Sequence, residues 1–232
     1  MLEFSKYRLD ELLTVSSVPE GKRPTRVPFL NLRFDAKPLV STNALCGPGV
    51  YGLSFTRAES DNHPVIIYVG KYLGEAANSF SGNVARLRWW THAGSFTMRG
   101  HRIHIAPRTI AALTDRLSGC HHEFQSLCGP DADVVTDRGN MAGLNRALFA
   151  LSHWDRFGTA SPQDILGGFG VSYLRVARTE LPTNALRDAI SRAEATLIAE
   201  MRPIGNGGIT VARSVTEAEF EQRSRELIIK FV

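Results

Sequence analysis

The side chains of this 232-residue chain best suited to chemistry are Tyr51, Tyr68, Lys71, Arg88, His92, Glu194 and Asn206. Glu194 falls at the edge of an apolar helical stripe. A solvated helix-face glutamate is the ordinary occupant of such a position. It also suits a ligand for a hard cation such as Mg²⁺, which keeps several waters and takes only one or two carboxylates. Arg88 and His92 stand four residues apart and share one face of a helix. A planar guanidinium fork suits phosphate, whereas a histidine near a helix end often makes only a structural hydrogen bond. Arg86 lies close by, either on a DNA backbone or in solvent. Tyr51 and Tyr68 are ordinary strand aromatics unless something activates them, because a phenol with a pKa of about 10 is a poor base at neutral pH. Lys71 or a metal ion is the activator within reach. Taken together, these residue types match phosphodiester hydrolysis. That reaction needs a deprotonated water in line with the leaving oxygen and positive charge where the phosphorane develops.

Regular elements must hold these groups. Gly49–Phe55 (GVYGLSF) is rich in β-formers, and Pro64–Gly70 (PVIIYVG) is almost wholly apolar. With the polar Thr56–His63 between them, they predict an antiparallel hairpin carrying both tyrosines. A helix over about Asn83–His92 carries the arginines and His92, with Trp89 and Trp90 as core residues or base-stacking groups. A strand is expected at His101–Ile105, and Ala106–Phe169 reads as mainly helical. Strand character returns at Gly170–Ala177. The clearest helix runs from about Asn184 to Met201, with Leu186, Ala189, Ile190, Ala193, Leu197 and Met201 as its apolar stripe and Pro203 as its stop. Glu200, at the other edge of that stripe, reads as structural. Thr216–Phe231 forms a final charged helix. At the opposite end, Phe4–Leu13 has helical spacing, and the Pro-rich, basic Val18–Pro38 suggests a surface arm. The expected class is α+β, with a small, mostly antiparallel sheet flanked by helices.

Gly49-Val50-Tyr51 followed by Tyr68-Val69-Gly70-Lys71 resembles the paired signature of the GIY-YIG nuclease superfamily. Further matches follow in the family's order. These are the helix with Arg88 and His92, then Glu194, then Pro203 and Asn206 nine and twelve residues beyond that glutamate. The resemblance covers about Gly49–Asn206. It implies one domain with its core at about 49–106 and 170–206, an insertion at about 107–169, an N-terminal arm at 1–48 and a C-terminal helix in 207–232. It also implies that Arg88 holds the scissile phosphate, that Tyr51 relays a proton from the attacking water, and that Tyr68 orients the water or touches phosphate. Glu194 would bind Mg²⁺ or Mn²⁺, and Asn206 would complete the catalytic set.

Within the superfamily, a compact chain with an arm, an insertion and a short tail most resembles the type II restriction endonucleases. The expected partner is double-stranded DNA, cut by a homodimer on a palindromic site. A homing or mobile-element nuclease is the first alternative, and a DNA-binding protein that has lost cleavage is the second. Base readout is expected from the basic stretch Arg99–Arg108 and from the insertion. The formal charge of +4 and pI near 9.1 permit nucleic-acid binding without requiring it. No apolar run is long enough to span a bilayer, and the N-terminus does not read as a secretory signal. Cys46, Cys120 and Cys128 are too few and too irregular for a disulfide framework, so a reducing, cytoplasmic setting is expected. The Cys120-His121-His122 group with Cys128 matches no standard zinc spacing and reads as structural.

Overall fold

The computed structural model describes residues 1–17, 32–37, 45–56, 63–75, 78–97, 104–105, 141–142, 144–207, 209 and 211–232. In chain order, β1 (Leu2–Arg8) leads through the single turn α1 (Leu9–Leu12) to β2 (Leu13–Ser17), which pairs with β3 (Leu32–Ala36). The hairpin β4 (Gly49–Phe55) and β5 (Val65–Tyr72) follows. A π-helical turn (Ala85–Trp89) then runs into α2 (Trp90–Thr97). The two-residue strands β6 (His104–Ile105) and β7 (Met141–Ala142) pair in parallel. Helices α3 (Leu144–Ser152), α4 (Trp154–Phe157) and α5 (Pro162–Gly167) precede β8 (Phe169–Val176). The chain ends with α6 (Thr183–Met201) and α7 (Glu217–Phe231). Among the described residues, no helix is long and apolar enough to cross a membrane.

The fold is α+β. Its central sheet has four antiparallel strands in the order β1-β8-β4-β5. Strand periodicity sorts the core into two layers, because alternate side chains leave opposite faces of a sheet. On one face Tyr51, Leu53, Phe55, Val171 and Tyr173 pack with Trp89 and Phe96 of the α2 region and with Phe149 and Phe157. On the other face Val50, Ile66, Val69 and Leu174 pack against α6 and α7. The residues buried by α6 are Leu186, Ala189, Ile190, Ala193, Leu197 and Met201, the stripe expected from its periodicity. Glu200 has the structural role read from the sequence. It takes two hydrogen bonds of 2.7 Å from the Arg223 guanidinium and so ties α6 to α7.

The N-terminus departs from expectation. Phe4–Leu13 is not a helix, and residues 1–17 are not an arm. Leu2–Arg8 pairs with β8 along its whole length, from Leu2↔Val176 to Arg8↔Gly170, and only Leu9–Leu12 turns helically. The helical spacing of Leu9 and Leu12 is satisfied within that one turn, where both are buried. The backbone before it gains more by completing the free side of β8 than by coiling. Sheet preference depends on what a neighbouring strand offers, which local spacing does not record. Residues 18–31 of the expected arm lie outside the described residues.

Strand β5 is an edge, and its outer backbone groups are paired by the segment after α6. Arg202 adopts a left-handed conformation (φ 51°) that turns the chain back along the sheet. Gly205 N–H then donates to the Ile67 carbonyl at 2.7 Å, and Ile66 N–H donates to the Val215 carbonyl at 2.8 Å. An edge covered in this way offers no template to another chain.

Removing residues 1–8 should therefore unfold the protein far more readily than loss of a surface arm would. Cross-strand pairs contribute about 0.2–1 kcal/mol each, so their loss along β1 should lower Tm by roughly 5–20 °C. Calorimetry of the truncated chain against the full chain measures this, and an unchanged Tm would mean that the pairing adds nothing.

Candidate active site

Tyr51 and Gly70 are direct cross-strand partners in the hairpin. The Tyr51 ring folds across β5 through the space above Gly70, where a Cβ would lie 2.6 Å from its Cζ and Oη and 2.8 Å from the Tyr68 ring. Glycine at this position is thus a steric requirement of the two tyrosines. Their rings stand 6.3 Å apart on the face covered by α2. Tyr51 is 2% exposed, and its hydroxyl lies 2.7 Å from His92 Nε2. The His92 ring also packs 4.5 Å from Tyr68. Its other nitrogen, Nδ1, is buried and makes no hydrogen bond among the described residues. The Tyr51 phenol is therefore the polar contact that orients this imidazole.

The electrostatics keep this pair neutral. Burial pushes the Tyr51 phenol well above its usual range, and the Tyr68 phenol and the Glu194 carboxylate add to the rise while Arg88 and Arg146 oppose it. Burial likewise pushes His92 well below its usual range, reinforced by Arg146 and Arg88. Tyr68 is raised by its own burial and, less strongly, by Glu194, against the opposing charge of Arg146.

Arg88 and His92, four residues apart, border the same site. The helix opens with a π turn, in which bonds run i→i+5 and residues four apart still lie close to one another. Arg88 is exposed while His92 is 7% exposed. The positive charge of Arg88 bears on Tyr51, Tyr68, Tyr72 and His92. Trp89 is wholly buried, with its ring set edge-on 5.9 Å from Tyr51, in keeping with the core alternative for this residue.

Lys71 pairs with Val50, so it leaves the opposite face of the hairpin from Tyr51. There its ammonium lies 2.6 Å from Glu194 Oε2 of α6. This corrects the expectation that Lys71 activates a phenol. The charges lowering both phenols come from Arg88 and Arg146, and Lys71 serves the carboxylate. Because β5 is the sheet edge, groups from both faces meet around it, and Glu194 still bears on both tyrosines. Among the described residues there is no group of three or more His, Cys, Asp or Glu. A magnesium ion does not need one, and Glu194, whose side chain is 17% exposed, fits as its single carboxylate ligand.

Asn206 does not present a polar atom to the site. Its Oδ1 accepts from Val69 N–H at 2.9 Å and its Nδ2 donates to the Val69 carbonyl at 2.8 Å. The side-chain amide acts as one more strand residue beside β5, adjacent to Gly70. Its observed contribution is to position the tyrosine-bearing strand.

One residue escaped the sequence reading. Arg146 of α3 places its guanidinium 4.8 Å over the Tyr68 ring, donates to Ser95 Oγ at 2.7 Å and reaches the Gly205 carbonyl at 3.4 Å. It belongs to the stretch set apart as an insertion. The available signal was a lone arginine between apolar residues of an amphipathic helix, in Leu144–Ser152. Most of the basic stretch Arg99–Arg108, the loop 57–62 and the group formed by Cys120, His121, His122 and Cys128 lie outside the described residues.

The buried, neutral imidazole has a consequence for stability. The unfolded chain protonates His92 near pH 6.5 while the fold resists it, so stability should fall as pH drops below about 6.5, by about 1.4 kcal/mol per unit until the folded value is reached. His92→Gln retains a partner for Tyr51 and should remove that share of the loss between about pH 7 and about pH 5.5, read from urea midpoints at constant m. An identical slope in the variant would mean that His92 is protonated in the fold. Comparison with protein-family models, curated proteins and solved structures finds no match for this chain, so its function has to be argued from this cluster of side chains.

Proposed function

We propose that the protein is a metal-dependent endonuclease of double-stranded DNA, of the GIY-YIG superfamily and the type II restriction kind. The observation that carries this reading is the buried contact of 2.7 Å between Tyr51 Oη and His92 Nε2, within reach of the charges of Arg88 and of Glu194. A phenol held against a neutral imidazole solves the problem of tyrosine as a base. Tyr51 takes the proton of the attacking water as it passes its own to His92 Nε2, and so never stands as a free phenolate. The water oxygen bonds to phosphorus, and the leaving ester oxygen departs in line. Burial, and after it the Arg146 and Arg88 charges, hold the His92 pKa down; the negative phosphate offsets those charges, so the imidazole becomes a better acceptor once substrate is present. Arg88, exposed and planar, grips the phosphate oxygens. Tyr68 orients the water or the phosphate. Glu194 would hold a Mg²⁺ or Mn²⁺ ion, which would supply Lewis-acid stabilisation of the developing charge. Lys71 holds that carboxylate in place through its 2.6 Å ion pair.

Linearisation of plasmid DNA with and without Mg²⁺ tests the reading, and sequencing of the cut ends tests for a single palindromic site. Binding without cleavage would return the protein to the non-cleaving alternative. Glu194→Gln keeps the shape and removes the charge. It should slow cutting roughly 1000-fold, corresponding to about 4 kcal/mol of lost stabilisation, while duplex binding survives. Near-wild-type cutting by this variant would refute the metal assignment.

A double-strand break needs one such site per strand, which a two-fold dimer on a palindrome provides. Light scattering of the protein on its specific duplex, with Ca²⁺ replacing Mg²⁺, should report two chains per duplex. A strict one-to-one complex contradicts the dimer.

A further inference from the structure

Arg146 is the least expected charge in the molecule. Its guanidinium meets groups from three other parts of the chain: Ser95 and Phe96 of α2, Tyr68 of β5 and the Gly205 carbonyl after α6. Every one of these partners is neutral. A desolvated cation usually has a carboxylate beside it, yet among the described residues Arg146 makes no ion pair, and Glu194 pairs with Lys71 across the sheet edge. Burial lowers the Arg146 pKa, but an arginine starts so high that it stays charged. The site therefore keeps a fixed positive charge beside both phenols. A residue needed only for packing would not require that charge, since an aliphatic side chain fills the same space without the cost of desolvation.

Resting on the nuclease reading above, we propose that Arg146 is a positioning residue of the catalytic site, which fixes the Tyr68 phenol by hydrogen-bonded stacking and supplies a half-buried cation for the incoming phosphate to balance. Its two hydrogen bonds, to α2 and to the turn after α6, lock the plane of the guanidinium, and that plane sets the Tyr68 ring against His92. The segment between β5 and β8 thereby completes the active centre in addition to any part it takes in reading bases.

The test compares Arg146→Lys and Arg146→Gln in the full chain. Single-turnover cleavage of a duplex carrying the site is followed with Mg²⁺, and duplex affinity is measured with Ca²⁺. Tyr68 is followed without DNA by NMR of ¹³Cζ-labelled tyrosine, its signal assigned by Tyr68→Phe. Arg146→Gln should cut about 100-fold more slowly, the scale for losing one preorganised charge or donor, with affinity within about threefold. Arg146→Lys, which keeps the charge but not the fork, should recover about tenfold of that loss. The Tyr68 signal should titrate at higher pH in the Gln variant, because a nearby cation favours the phenolate. Cutting by Arg146→Gln within about twofold of wild type, or an unmoved Tyr68 titration, overturns the proposal. If the wild-type chain cuts no DNA, the nuclease reading fails on its own. The Tyr68 titration then decides Arg146 alone, a shift retaining its hold on the phenol and no shift removing it.

Discussion

The Tyr51 ring lies where a side chain at position 70 would have to be. Cross-strand pairing makes Tyr51 and Gly70 neighbours on one face of the hairpin, so a single missing Cβ lets the ring lie flat over β5 and reach His92. A slip of β5 by one residue in that register would send Tyr68 to the α6 face and bring Lys71 to the α2 face. Much of the structure serves to prevent the slip. The register shift between Leu53 and Ser54 realigns the hairpin beyond the site. Gly205 and Asn206 then grip the outer backbone of β5 at Ile67 and Val69, immediately before Gly70. From the other side β8 pairs with β4, aligning Tyr51 with Tyr173.

Around that fixed hairpin the charges are distributed by burial. The phenol and imidazole are enclosed and neutral, Arg88 is exposed, and Glu194 is shielded on the far face with Lys71. Such an arrangement costs little while the site is empty, because the strongest opposite charges are paired with each other. It also separates a region suited to proton transfer from one suited to a hard cation, with the edge strand between them. Arg146 is the exception, a cation enclosed by neutral partners, and it draws the residues after β5 into the same electrostatic unit.

Parts of this arrangement were legible in the residues. Strand β4 coincides with its richness in β-formers, β5 with its apolar run and α6 with its six-residue stripe, because each pattern is local in the chain. The capping box of Thr216 and Glu219 marks the start of α7 in the same local way. The conjunction of Tyr51, Tyr68, Arg88, His92 and Glu194 was visible as a spacing pattern, although nothing in the spacing located Lys71 beside the glutamate. Asn206 was visible as a position, but its amide serves a backbone that lies 137 residues away.

The sequence by itself determined which segments are strands and helices at the centre of the chain, and which face of each is apolar. Those choices follow from hydrophobic period and backbone sterics within a few residues. Only the tertiary structure decided that the first strand joins β8 instead of coiling, that Lys71 and Tyr51 part to opposite faces, and that Arg146 arrives over Tyr68. Each of these outcomes turns on a partner distant in the chain that offers an unpaired backbone edge, a carboxylate or a ring face. The free energy of meeting such a partner is absent from any local window of residues.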